Sequence, residues 1–145
     1  MLPILLAVVF GIITYGLIFA SQISLNSAAR DAARAGVVAG ITGPADPLTC
    51  AEIANLARQS SHLLGGSSSA VKVVVTFSDG STTCTLPKDS TTVSGSGTEE
   101  PCTGSDTDSP PLKVDLTYEA KSPVPLVPGT DATLTATGEF QCEYS

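Results

Sequence analysis

The first charged residue of this chain is Arg30. Twenty-nine residues without Asp, Glu, Lys or Arg constrain the fold more than anything that follows. Within them, residues 2–20 (LPILLAVVFGIITYGLIFA) form an apolar run of the length that crosses a hydrocarbon core. Pro3 is harmless at the start, because the first helical turn has no amide partner to lose. Residues 21–40 (SQISLNSAARDAARAGVVAG) lack proline and are rich in alanine, so the helix is expected to continue. Ile23, Ala28, Ala32, Ala35 and Val38 recur at helical spacing, away from Gln22, Asn26, Arg30 and Arg34. Gly40 and the following Ile-Thr-Gly-Pro end the pattern. One helix of about forty residues would be roughly 60 Å long, twice the thickness of a hydrocarbon core. We therefore expect a division into an N-terminal hydrophobic helix, 1–40, and an extracytoplasmic α+β domain, 41–145.

All seven basic and fourteen acidic residues lie after residue 29, and that remainder is acidic and polar. The net charge of −7 argues against nucleic acid as a partner and against polybasic docking to anionic lipid. Membrane attachment has to come from the apolar segment. The four cysteines, Cys50, Cys84, Cys102 and Cys142, form no CxxC and have one histidine in the whole chain for company. That composition disfavours zinc and favours disulfides in an oxidising compartment.

A second helix is announced by Asp46-Pro47 and by the capping box Thr49-Cys50-Ala51-Glu52, with Ile53, Leu56, Ala57, Leu63 and Leu64 as its apolar face and Gly65-Gly66 as its end. In VKVVVTF, Val71, Val73, Val75 and Phe77 alternate onto one face of a strand. Asp79-Gly80 reads as a type I′ hairpin turn into a return strand, Thr82–Leu86. Residues 87–111 lack apolar periodicity and read as an exposed loop. Leu112, Val114, Leu116 and Tyr118 alternate as a strand. After the proline-rich SPVPLVPG, so do Leu134, Ala136, Phe140, Cys142 and Tyr144. Strands joined by short connections favour an antiparallel sheet, and the two helices are the available cover for one face of it. The fold class is thus α+β. Of the three possible disulfide pairings, we expect Cys84–Cys102 to staple the long loop and Cys50–Cys142 to tie the second helix to the last strand.

Enzymatic constellations are lacking. His62 reads as a surface histidine near a helix end, and neither a Gly-x-Ser-x-Gly elbow nor a His-Glu-x-x-His helix occurs. Glu99, Glu100, Asp106 and Asp108 could offer oxygen ligands to calcium, but no twelve-residue EF-hand pattern contains them, and a solvated acidic loop is the better reading. No cofactor is expected, and no catalytic or metal site.

Three readings of the N-terminal segment compete: a cleaved signal peptide, a single-span anchor for a monomeric binding domain, and a helix that packs against its own copies. A signal peptide carries a basic n-region, which is missing. Simple anchors usually carry flanking Lys or Arg and do not run on as an alanine-rich helix. Small residues recur at helix-neighbour spacing: Gly16 with Ala20, Ala28 with Ala32, Gly36 with Gly40. Such spacings let helix backbones approach closely.

These residues also carry a resemblance. Leu2-Pro3, Phe10-Gly11-Ile12-Ile13, Tyr15-Gly16 and the segment Asn26 to Arg34 resemble the N-terminus of the TadE-like pseudopilins, minor pilins of the tight-adherence (Tad, type IVc) pilus. More loosely, VDLTYEAKSPVPLVPG and LTATGEFQCEY are similar to that family's last two strands. The family pattern also has a glutamate before the Leu-Pro, whereas here no acid precedes Asp31. The resemblance implies a pilin-like fold and a structural, non-enzymatic role as subunit of a surface filament. It implies as partners copies of itself or related pilins, membrane lipid before assembly, an assembly platform and a prepilin peptidase. It places the chain in the cytoplasmic membrane before assembly and at the cell surface afterwards. The residues expected in helix packing are Leu2, Pro3, Leu6, Phe10, Gly11, Ile13, Tyr15, Gly16, Ala20, Ala28 and Ala32.

Overall fold

A computed structural model of the protein describes residues 2–38, 48–63, 67–102, 111–120 and 132–142. The apolar run and the alanine-rich segment form one helix, α1 (Leu2–Val38). A second helix, α2 (Cys50–Ser60), starts where the capping box predicts. Thr49 Oγ1 accepts from the Glu52 amide while the Glu52 carboxylate accepts from the Thr49 amide at 2.8 Å. Two of the helix's orphan donors are thereby satisfied. The Thr49 amide, with the Thr49 hydroxyl, donates to the Glu52 carboxylate and holds its pKa below the ordinary value. The helix ends at Ser60, so Leu63 lies beyond it rather than on its face. Asp46, Pro47 and Leu64 to Gly66 fall outside the described residues, as does Gly40.

The strands are β1 (Val71–Thr76), β2 (Thr83–Leu86), β3 (Ser94–Gly95), β4 (Leu112–Ala120) and β5 (Ala132–Phe140). They form one antiparallel sheet in the order β3-β2-β1-β4-β5. Both helices cover the same face, α1 over β4 and β5, α2 over β1 and β2. This is a pilin-like α+β architecture. The core is built from the alternating residues the strand pattern singled out: Val71, Val73, Val75, Leu112, Val114 and Leu116 are fully buried. The opposite face is threonine-rich and charged, as suits an antiparallel sheet open to water on one side.

Alanine sets the distance between α1 and this sheet. Leu25, Ala28, Ala29, Ala32 and Ala33 face the strands and are buried. The expected face was rotated from this one, since Ile23 and Val38 are exposed. Contact is closest at Gly138 of β5, where an added Cβ would stand 2.2 Å from the Ala29 carbonyl oxygen. No side chain fits between two backbones that close.

Three sequence expectations are corrected. The disulfides are Cys50–Cys84 and Cys102–Cys142, not Cys50–Cys142 and Cys84–Cys102. Sheet order explains this. The start of α2 is held beside β2 and β3, through the Cys50 amide to Glu99 O and the Ala51 amide to Gly97 O. Two strands, β1 and β4, stand between β2 and β5, a separation of roughly 14 Å. A disulfide bridges Cα atoms at most about 7 Å apart. Cys102 instead lies at the end of the sheet where β5 finishes, because the Pro101 carbonyl accepts from both the amide and the hydroxyl of Ser78 just past β1. Second, the hairpin is not type I′, which needs positive φ at both central residues. Only Gly80 has it, at +72°. Asp79 instead accepts from the amides and hydroxyls of Ser81 and Thr82, which lowers its pKa to about 2. Third, residues 87–111 are not wholly loop: Ser94–Gly95 adds the short strand β3, and Pro101 is buried.

Arg58, near the end of α2, is buried, and no carboxylate forms an ion pair with it among the described residues. Its guanidinium donates to the carbonyls of Val71, Leu86, Pro87 and Ser90. The planar fork fits several acceptors at once, so one side chain fastens α2 to the start of β1 and to the chain leaving β2. Burial pushes its pKa down, partly opposed by Asp89.

Two stability predictions follow from these contacts, both readable by urea unfolding of the detergent-solubilised full chain. Arg58→Met should cost about 2–4 kcal/mol, because it strands buried carbonyls, and Arg58→Lys should recover only part of that loss. Gly138→Ala should cost about 1–3 kcal/mol by overpacking against α1. A wild-type midpoint in either Arg58→Met or Gly138→Ala would show that the contact in question does not hold the fold.

Candidate functional site: the free surface of the long helix

Helix α1 extends well past the sheet it packs on. Gln22 donates to the Thr135 carbonyl at 2.7 Å, and Ala29 meets Gly138. Seven helical residues advance about 10 Å, and so do three strand residues. Helix and strand therefore run nearly parallel. Three strand residues before Thr135 is Ala132, where β5 begins. By the same measure Ala132 is level with about Tyr15 of α1. Residues 3–14 project beyond the sheet, a distance of about 18 Å.

The projecting part is apolar all round. Ile4, Leu5, Leu6, Val8, Val9, Phe10, Ile12, Ile13 and Tyr15 are exposed large hydrophobics. Exposed apolar surface on this scale marks a membrane or protein contact. By length and composition α1 is able to cross a membrane, and almost none of that apolar stretch is buried by the rest of the chain. On the side facing away from the domain, the apolar surface climbs past the base of the sheet through Phe19 and Ile23. Above them it gives way to exposed Ser27, Arg30, Asp31 and Arg34.

The expected packing residues divide in two. Pro3, Leu6, Phe10, Gly11, Ile13, Tyr15 and Gly16 are exposed, and Ala20 is half-buried. Among the described residues, nothing but the helix's own backbone lies within 4 Å of a Cβ added at Gly11 or Gly16. The side chain of Leu2 is outside what the structure describes. Ala28 and Ala32, in contrast, are buried against the chain's own sheet. A side chain already covered offers no surface to a neighbouring helix, so the small-residue spacing there serves packing within the chain. The sequence showed the spacing but not which partner it served.

Residues 1–34 match the TadE-like protein family. No curated protein and no solved structure matches the chain. The TadE-like match covers the projecting helix and most of its alanine-rich continuation. The remainder of the chain, with its sheet, its disulfides and the Arg58 clamp, lies beyond it.

Elsewhere, an open hollow of about 370 Å³ lies between Phe77, Asp79, Thr82, Thr98, Glu99 and Glu100. Its carboxylates come from the hairpin turn and from the segment after β3, and they form no metal-binding group among the described residues. Asp106 and Asp108 fall outside the described residues. His62 is exposed just past α2.

The division of α1 into a covered and a free part is testable on the solubilised chain. Ala32→Leu should destabilise the fold by about 1–3 kcal/mol, because its side chain enters a filled core. Gly16→Ala should leave unfolding unchanged or raise local helix stability by up to about 1 kcal/mol. Equal effects of the two on the urea midpoint would contradict the division.

Proposed function

We propose that the chain is a structural subunit, a pilin or pseudopilin, of a type IV-like surface filament of the Tad kind, assembled through α1. One observation carries the reading. The apolar surface of α1 runs on along its free side to Ile23, about 12 Å above the level where the sheet begins. A bilayer ending at the base of the domain leaves that flank uncovered, whereas the α1 of a neighbouring copy can cover it. Pro3, Leu6, Phe10, Gly11, Ile13, Tyr15, Gly16 and Ala20 supply the contact, and Leu2 belongs to the same segment. Before assembly the same surface is solvated by lipid. Exchanging lipid for protein changes apolar burial little, so shape fit and close approach at Gly11 and Gly16 decide the association.

The TadE-like match supports this reading, and so do the two disulfides, which suit residues 41–145 to an oxidising compartment outside the cytoplasm. On this reading the protein is not an enzyme. It begins in the cytoplasmic membrane and ends at the cell surface, and the assembly platform and prepilin peptidase of such systems are its partners.

Ile13→Asp places a charge on the free surface at a cost of about 3 kcal/mol in an apolar setting. Electron microscopy of surface material should show filaments lost in Ile13→Asp and retained in Ile13→Leu, with both variants keeping their disulfides. Ordered filaments from Ile13→Asp would refute the packing role. Wild-type cells without any filament containing this chain would leave the other reading, a monomeric membrane-anchored binding domain.

A further inference from the structure

The apolar run and the free helix differ in length, and this places the domain relative to the membrane. Residues 3–20 are uncharged and apolar, about 27 Å of helix and close to a hydrocarbon thickness. Only residues 3–14 project beyond the level of Ala132. From Ile18 onward the helix is already packed on the core. Lipid that covers the apolar run therefore reaches the end of the sheet formed by Ala120 and Ala132.

We infer that, in the membrane-inserted state, the base of the domain rests in the lipid headgroup layer, with no stalk between domain and bilayer. This rests on the membrane-embedded stage of the reading above. The base comprises the Ala120–Ala132 end of β4 and β5, the turn after β2, and the end of α2. Its chemistry suits headgroups. Lys88 and Glu119 pair at 2.8 Å, which cancels their charge. The Lys88 pKa is raised by that partner. Ser69 donates to Asp89, and Thr133 and His62 present polar side chains. The Lys88–Glu119 pair is half-exposed, too polar for hydrocarbon, so it stops the domain from sinking further. Glu52, Asp79, Glu99 and Glu100 gather at the opposite end, where the hairpin and the start of α2 lie. An anionic bilayer repels that pole more than the base, where, among the described residues, Lys88 and Arg58 offset Glu119 and Asp89, so charge and geometry select one orientation.

The chain has no tryptophan, so single-tryptophan variants report position directly. Full-length Phe10→Trp, Thr133→Trp, His62→Trp and Phe140→Trp would each be reconstituted in phosphatidylcholine–phosphatidylglycerol vesicles. One lipid set carries bromine on the acyl chains and the other a nitroxide on the headgroup. Phe10→Trp should lose about half its emission to the brominated chains. Thr133→Trp and His62→Trp should lose a similar share to the headgroup nitroxide, and Phe140→Trp, at the far end of β5, should lose almost none to either. Quenching at Phe10 with Thr133 and His62 no more quenched than Phe140 would overturn the inference while leaving membrane insertion intact. No quenching at Phe10 would remove the insertion reading and this inference with it.

Discussion

Everything in this molecule is referred to the seam where α1 lies on β5. A helix with alanines on its inner face and a strand with glycine at position 138 come closer than ordinary side chains allow. That closeness fixes the helix against the sheet in rotation and in register. Alanine buries little apolar area per residue, so the seam gains from fit and number rather than from any one side chain. Because α1 has no proline after Pro3, the grip on its second half also sets the direction of the first. The seam thus decides how much apolar helix stands free and which side of it faces outward.

The remainder of the domain is organised by fasteners that act where regular structure ends. The small core has a sheet covered on one face only. Cys50–Cys84 joins the start of α2 to β2, and Cys102–Cys142 joins the segment after β3 to the end of β5. Each closes a loop of a few tens of residues, worth about 3–4 kcal/mol in chain entropy if unstrained. Arg58 fastens the other end of the sheet by collecting four backbone carbonyls, from the start of β1, the end of β2 and the chain that leaves it. Bonded ends, rather than a deep core, hold the irregular segments to the sheet.

How legible this was depended on the range of the signal. The uncharged run, the Thr49–Glu52 capping box and the alternating valines of β1 are local patterns, and each appears where its period or spacing predicts. The disulfide pairing depended on sheet order, which no local pattern carries: β4 inserts beside β1 and leaves β2 and β5 on opposite flanks. The Asp79-Gly80 turn misled because the aspartate serves as an acceptor for Ser81 and Thr82 rather than as a positive-φ residue. Arg58 looked like any charged residue of a short helix. Its one local clue was its place directly after Ala57, at the end of the apolar stripe Ile53, Ala54 and Ala57, where an inward fork could reach carbonyls past the helix end. The small-residue spacings of α1 were read as one signal for contacts between helices. They are two signals, open at Gly16 and closed at Ala28 and Ala32.

That split bears on how, on the proposed reading, one helix would serve lipid, a domain and a neighbouring copy in turn. A helix apolar on every side belongs in a bilayer or a core, and a helix with one apolar stripe belongs on a domain surface. Helix α1 changes from the first kind to the second along its length, and the change does not occur at one level. Toward the sheet, the domain covers it from about Tyr15 upward. Away from the sheet, exposed apolar side chains continue to Ile23, and polar residues take over only from Ser27 to Arg34. A planar membrane surface matches one of these levels but not both. The offset, about two turns of helix, leaves an apolar flank beside the domain that is covered when a second helix lies along it. Moving the apolar boundary on the free side down to Tyr15 would leave a good anchor, and the present boundary at Ile23 suits a helix that also packs sideways.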